Sequence, residues 1–150
     1  MFPALRVLAG QGGRGVRMLP ALHMASDTYA MILGAFLSEG NIVNQPTSGS
    51  YGIDITQVKE PNRQQLLTEL RRLGVKFNEH GNGEKIRIYS KQLLKHFEQF
   101  GHSHEKYIPE FVFGWTRETQ RVLFDWLVWG DGHRKEDRPV CYTTTSSRLA

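Results

Sequence analysis

Two carboxylates occupy matching positions at the ends of two long apolar segments, in Ser38-Glu39-Gly40 and in Gly130-Asp131-Gly132. The apolar residues before each acid predict a helix, so each carboxylate would face the negative end of a helix dipole. Two such groups side by side repel one another unless a cation lies between them. Carboxylate oxygens suit Mg²⁺. The residues therefore indicate a two-carboxylate metal site, with two ordinary acids at the start of loops as the alternative.

The helices that carry these acids contain small residues on one face. In the first helix, Gly34 and Ser38 lie four residues apart, so another backbone can approach closely there. This helix is expected to start at Ser26 and Asp27, with Ser26 as the cap. The second helix, predicted after Thr116, has Gly130 but carries Trp126 four residues earlier, which predicts an asymmetric or looser approach on that side.

Between the two acids the pattern alternates between strands and helices. Residues 51–58 alternate as a half-buried strand, Pro61 opens a helix that Gly74 ends, and Gly81-Asn82-Gly83 predicts a hairpin turn, followed by a helix near 91–100. If Ile53, Ile55, Val75, Phe77, Ile86 and Ile88 face the helices, the polar residues between them share the open face of the sheet.

Composition and charge narrow the function classes. The 150 residues are 39% hydrophobic and 23% charged, which excludes a disordered tail, and no apolar run is long enough to span a bilayer. One cysteine, Cys141, excludes an internal disulfide, so we expect a cellular rather than a secreted protein. Residues 59–95 carry nine bases and four acids, which suggests a polyanion partner or a solvated basic face.

Four segments, in order, resemble the blocks of LAGLIDADG homing endonucleases of the intein-encoded (dodecapeptide, DOD) kind. ILGAFLSEG (32–40) and FDWLVWGDG (124–132) resemble the two dodecapeptide motifs. KYIPEFVFG (106–114) resembles the block between them, and YTTTSSRLA (142–150) the block after the second.

The resemblance implies an α+β fold with an αββαββα repeat and an antiparallel saddle sheet, and a Mg²⁺-dependent (or Mn²⁺-dependent) enzyme that hydrolyses double-stranded DNA at specific sites. It implies that Glu39 and Asp131 bind the metal, and that Lys106 acts near the attacking water. A cation there would stabilise developing charge on the phosphate. Together with the strand pattern it predicts a DNA-binding face formed by Thr56, Lys76, Asn78, Lys85, Arg87 and Tyr89. We also expect Gln57 or Glu60 to support the metal site.

The chain departs from the family pattern in two ways. Glu39 stands where Asp is more usual, and the second repeat lacks its hairpin and later helices. We therefore expect a leader or upstream remnant at 1–25, a first repeat at 26–114 and an incomplete second repeat at 115–150, with the missing half or a host protein in the same precursor. No splicing residues are visible, so self-splicing is not expected. The alternative function is a cleavage-dead DNA- or RNA-binding module of the same fold.

Overall fold

The computed structural model of the 150-residue chain describes residues 5–8, 16–45, 47–56, 60–133, 141–142 and 144–149. The strands β1 (Leu5–Leu8) and β2 (Val16–Leu19) pair antiparallel within the expected leader. The main body then follows with α1 (Ser26–Glu39), β3 (Gly40–Gln45), β4 (Ser50–Thr56), α2 (Asn62–Arg72), β5 (Lys76–His80), β6 (Lys85–Tyr89) and α3 (Lys91–Phe97). A short 3₁₀ turn (Glu110–Gly114) leads to α4 (Arg117–Asp131), β7 (Gly132–His133) and β8 (Cys141–Tyr142).

The order from α1 to α3 is αββαββα, as the resemblance implied, and the α+β fold class is confirmed. The strands form a four-stranded antiparallel sheet in the order β3-β4-β6-β5. The predicted hairpin between β5 and β6 is present, because Gly81, Asn82 and Gly83 adopt the positive φ angles that its turn requires. Strand β3 was implied by the resemblance, but the residue pattern alone did not locate it.

The core lies between the sheet and the helices. Helix α1 is buried on nearly every side, as its apolar composition predicts, because it packs on β4 and on α4. Ile53, Ile55, Ile86 and Ile88 cover the helix side of the sheet and are at most 1% exposed. The strand parity expected from the sequence is therefore correct for these four residues. None of the described helices is both long and apolar enough to cross a membrane.

The start of α1 differs from the sequence expectation. Ser26 is the first helical residue and not the cap, because Ala25 occupies the cap position and supplies no side-chain hydrogen bond. Asp27 instead accepts a 2.6 Å hydrogen bond from the Thr119 hydroxyl, which joins the beginnings of α1 and α4.

Candidate metal and nucleic-acid site

The two helices that end in acids run side by side in the same direction. A Cβ atom added to Gly34 would lie 2.7 Å from the Leu123 carbonyl oxygen and 2.8 Å from the Trp126 Cβ. One turn further, a Cβ atom added to Gly130 would overlap the Ser38 side chain and lie 3.1 Å from the Glu39 Cγ. The backbones therefore touch at both levels, and the C-terminal ends of α1 and α4 meet. At Trp126 the approach is asymmetric and not looser, because the glycine that makes room for the Trp126 Cβ is on α1 alone.

Glu39 is the last residue of α1 and lies half-buried at this meeting point. The Thr56 hydroxyl, at the end of β4, lies 2.9 Å from the Glu39 carbonyl oxygen and 3.4 Å from its carboxylate. Asp131 is the last residue of α4 and directly follows Gly130, the residue in contact with Ser38 and Glu39. The backbone thus brings both predicted metal-binding positions to one end of the helix pair.

Lys106 lies at the same end, but inside the protein. It is 4% exposed, and its ammonium group donates hydrogen bonds of 2.7 Å to the Phe36 carbonyl and 2.8 Å to the Gly40 carbonyl. The nitrogen also lies 5.0 Å from the centre of the Phe36 ring. A cation that binds the last carbonyls of a helix neutralises the negative end of its dipole. Lys106 therefore holds the end of α1, where Glu39 lies, and its role towards the attacking water stays a prediction.

The fourth family-like segment packs onto the third. Ser146 is 1% exposed and donates a 2.6 Å hydrogen bond to the Lys106 carbonyl, while the Arg148 guanidinium lies 4.1 Å from the centre of the Tyr107 ring. Three of the four segments singled out from the sequence therefore contact one another through Lys106, although 40 residues separate it from Ser146.

The predicted DNA-binding residues share one side of the sheet. In the register, Thr56 pairs with Lys85, Asn78 pairs with Arg87, and Lys76 pairs with Tyr89. On β4 and β6 these positions alternate with buried isoleucines, and on β5 Lys76 and Asn78 flank Phe77, which packs against the core. They therefore lie on the face that points away from the helices. Lys76 and Tyr89 also contact each other, with the ammonium 5.6 Å from the ring centre.

The Arg87 guanidinium is bound by other side chains of the sheet, and the sequence did not indicate this. Its Nε and Nη2 donate hydrogen bonds of 2.6 and 2.8 Å to the two carboxylate oxygens of Asp54, and Nη1 donates a 2.9 Å bond to Ser50. The hydrogen bond to Asp54 raises the pKa of Arg87. The Asp54 side chain is only 4% exposed and also lies 3.6 Å from the Lys85 ammonium. Asp54 lies on the polar face of the sheet, as the strand alternation predicts, and it is buried there under the Arg87 guanidinium that it binds.

Two further polar residues were expected to support the metal site. Glu60 contacts Arg63 and Gln64 of α2, at 3.4 and 3.2 Å, while Gln57 lies outside the described residues. Among the residues that the structure describes, no group of three histidine, cysteine or acidic side chains is close enough to hold a metal.

Comparisons with known proteins give similarities of sequence and of structure. The chain is 31% identical over 127 residues to the DNA-directed RNA polymerase subunit Rpo1C of Methanocaldococcus jannaschii, a match that covers 80% of this chain and 14% of that protein. The chain therefore spans a small part of its curated relative. Its structure is similar to that of I-DmoI in complex with its target DNA, nicked in the coding strand, in the presence of Mn. That similarity has a TM-score of 0.47 with 20% identity, and it covers 72% of this chain and 63% of that one. No protein-family model matches the sequence.

Proposed function

We propose that this chain is a DNA endonuclease domain of the LAGLIDADG type and of the intein-encoded kind. It hydrolyses phosphodiester bonds of double-stranded DNA at specific sites and uses Mg²⁺ or Mn²⁺. Glu39 and Asp131 are the metal-binding carboxylates of this proposal, and the polar face of the sheet binds the DNA. The observation that carries it is the close packing of α1 and α4, which brings the two acid positions to one point.

The chemistry of the donors fits a hard divalent cation. Both proposed ligands are carboxylates, and Mg²⁺ in nucleic-acid enzymes commonly uses one or two carboxylates together with phosphate oxygens and water. A site of this kind does not need three protein side chains, so the absence of a larger acidic cluster among the described residues is compatible with it. When bound, a divalent ion would supply a polarised phosphate and an activated water.

The residues around Glu39 orient its carboxylate. Thr56 contacts it from the sheet, and Lys106 binds the backbone on both sides of it, at Phe36 and Gly40. The positive charge of Lys106 offsets the negative end of the α1 dipole, which would otherwise raise the cost of an ionised carboxylate there. The chain therefore keeps an anionic ligand in a fixed position before any metal binds.

We further infer that the domain belongs to a longer precursor with a host protein, and that a second sheet-bearing half completes the DNA-binding surface. Two observations support this. The described residues contain one complete αββαββα unit followed by one further motif helix and two short strands. In addition, 80% of the chain matches only 14% of an RNA polymerase subunit, which is the proportion expected of a domain carried within a larger protein.

The test is cleavage of DNA by the full-length protein that contains this chain. A plasmid library with a randomised insert is incubated with Mg²⁺ or Mn²⁺, the new ends are captured and sequenced, and nicking is then measured on the recovered site. We expect Glu39→Gln and Asp131→Asn to abolish nicking and to retain DNA binding. Asp125→Asn, the same change on the surface of α4, is the matched control and should nick like the wild type.

The outcomes separate the two function classes. Equal nicking by the wild type and both carboxylate variants would refute the metal-carboxylate mechanism. DNA binding without nicking, at any concentration of either metal, would favour the cleavage-dead binding module instead.

A further inference from the structure

The polar face of the sheet is arranged in two rows that cross the strands. The first row begins at Glu39, which Thr56 contacts, and continues through the pair Thr56 and Lys85 to the pair Lys85 and His80. The second row lies two residues further along each strand, and each of its members pairs with the next in the register. Its members are Asn41, Asp54, Arg87 and Asn78.

The two rows carry different chemistry. Beyond Glu39, the first row offers an ammonium and an imidazole, which are groups that bind phosphate oxygens as hydrogen-bond donors or cations. The hydroxyl of Thr56 donates its one hydrogen to Glu39, so Thr56 joins the row to Glu39. The second row offers two carboxamides and one guanidinium, which are the side chains that make paired hydrogen bonds to the edges of adenine and guanine. Phosphate-binding groups therefore lie in the row that begins at Glu39, and base-reading groups lie in the next row.

An open cavity lies along the first row. It has a volume of about 430 Å³ and is lined by Thr56, His80, Gly81, Glu84, Lys85 and Arg87. Lys85 is 40% exposed there, so its ammonium can reach a ligand, while Lys106 is buried against the end of α1. Glu84 disfavours an anion on one wall, but the cations Lys85 and Arg87 line the others.

Asp54 fixes the orientation of the Arg87 guanidinium in the second row. It binds Arg87 through two hydrogen bonds, and Ser50 accepts a third, so three of the five N–H groups of the guanidinium are occupied within the protein. This arrangement holds the guanidinium plane in one orientation. Lys85 can leave its 3.6 Å contact with Asp54 without leaving that carboxylate unpaired, because the Arg87 bonds remain.

We propose that Lys85 and His80 form a phosphate subsite that binds a backbone phosphate of DNA along the row that begins at Glu39. Arg87, positioned by Asp54, then reads base edges with Asn41 and Asn78. This proposal rests on the proposed DNA-binding face. It assigns Lys85 as the protein cation next to the cleaved strand and His80 as a phosphate contact, and it makes Asp54 a positioning residue.

The experiment measures DNA binding in EDTA, so that it does not depend on cleavage. Affinity for a duplex of about 30 base pairs is measured between about 50 and 200 mM KCl. In Lys85→Gln, log K should fall less steeply with log[salt], with a slope smaller in magnitude by about one, because one phosphate contact is lost. Lys95→Gln, which removes a 73% exposed lysine from α3, is the matched control and should leave the slope unchanged.

A second measurement tests the division between rows. Each variant selects bound duplexes from a randomised pool, and the base preferences are compared. Asn78→Ala should relax the preference at one position and keep the wild-type salt slope. Lys85→Gln and His80→Gln should bind every sequence more weakly by the same factor, with the wild-type preference, and Lys85→Arg should restore the slope.

Asp54→Asn should weaken the base preference at the position that Arg87 contacts. Thermal unfolding of the variant is measured as a control, and it should show that the protein is still folded. An unchanged slope for Lys85→Gln, or a changed base preference in that variant, would overturn the phosphate subsite even if the protein nicks DNA. A protein that does not nick but shows these binding results would retain the subsite and lose only the nuclease proposal.

Discussion

A buried lysine at a helix end has a structural consequence that can be separated from catalysis. The ammonium of Lys106 donates to the carbonyls of Phe36 and Gly40, and hydrogen bonds to a charged group are worth more than those between neutral groups. A lysine that only approached DNA would show neither the burial nor these short bonds.

We expect Lys106→Met to lower the free energy of unfolding by roughly 3 kcal/mol, since two hydrogen bonds from a charged group are lost. Urea denaturation measures the change. Lys95→Met, on the surface of α3, is the control and should change the stability by less than about 0.5 kcal/mol. Normal stability of Lys106→Met with loss of nicking would instead favour direct contact of Lys106 with the reacting groups.

A second single residue makes stability depend on pH. His96 is partly buried between α3 and α1, where its Nε2 lies 2.7 Å from the Tyr29 hydroxyl and its Nδ1 lies 3.2 Å from the Gln99 amide nitrogen. Burial lowers the pKa of His96 below its ordinary value of 6.5. The folded protein therefore takes up a proton at His96 less readily than the unfolded chain does.

Proton linkage gives the direction in which the free energy of unfolding changes with pH. Above pH 6.5 His96 is neutral in both states, and as the pH falls below that value the unfolded state binds the proton first, so the folded state loses stability. We expect the unfolding free energy to fall between about pH 7.5 and about pH 5.5, and to fall less in His96→Gln, which has the same other histidines. An equal loss in both proteins would show that His96 does not contribute.

At the scale of elements, the contact between α1 and α4 determines whether the acids meet. Gly34 faces backbone atoms of α4, the Leu123 carbonyl and the Leu127 nitrogen, which cannot rotate away as a side chain can. Gly130 instead faces the Ser38 side chain. The helix pair therefore tolerates no side chain at Gly34 without a change in the distance between the helices.

We expect Gly34→Ala to lower the unfolding free energy by roughly 2 kcal/mol, because the overlap outweighs the higher helix propensity of alanine. It should also abolish nicking, since the shift separates Glu39 from Asp131. Gly114→Ala is the matched control, because no heavy atom lies within 4 Å of the added Cβ. Calorimetry and the nicking assay measure both effects, and a Gly34→Ala protein as stable and active as Gly114→Ala would contradict the packing argument.

The elements differed in how well the sequence predicted them, for physical reasons. Helices α1, α2 and α4 and the hairpin of β5 and β6 follow from local apolar spacing and from Gly81-Asn82-Gly83, and all of them are present. Strand β3 was missed because an edge strand with mostly polar residues has little periodicity. The partners of Asp54 and Lys106 depend on contacts with residues 33 and 66 to 70 positions away, which no local pattern encodes.

For the whole molecule, the proposed site lies where several negative groups converge. The ends of two helix dipoles and the positions of Glu39 and Asp131 meet there, and the structure describes Lys106 as a buried cation among them. A divalent ion that binds both carboxylates would join α1 to α4, so it would bind the folded protein and not the unfolded chain. Metal binding and global stability are therefore linked.

We expect Mn²⁺ at about ten times its dissociation constant to raise the unfolding free energy by about 1.4 kcal/mol and the melting temperature by about 4 °C, without any DNA. The Glu39→Gln, Asp131→Asn double variant should show no such rise, while Asp125→Asn should match the wild type. Scanning calorimetry with and without EDTA measures it. Because the shift reports binding alone, it distinguishes a chain that lacks the metal site from one that binds metal but has lost cleavage. A rise in the double variant as large as in the wild type would place the ion elsewhere.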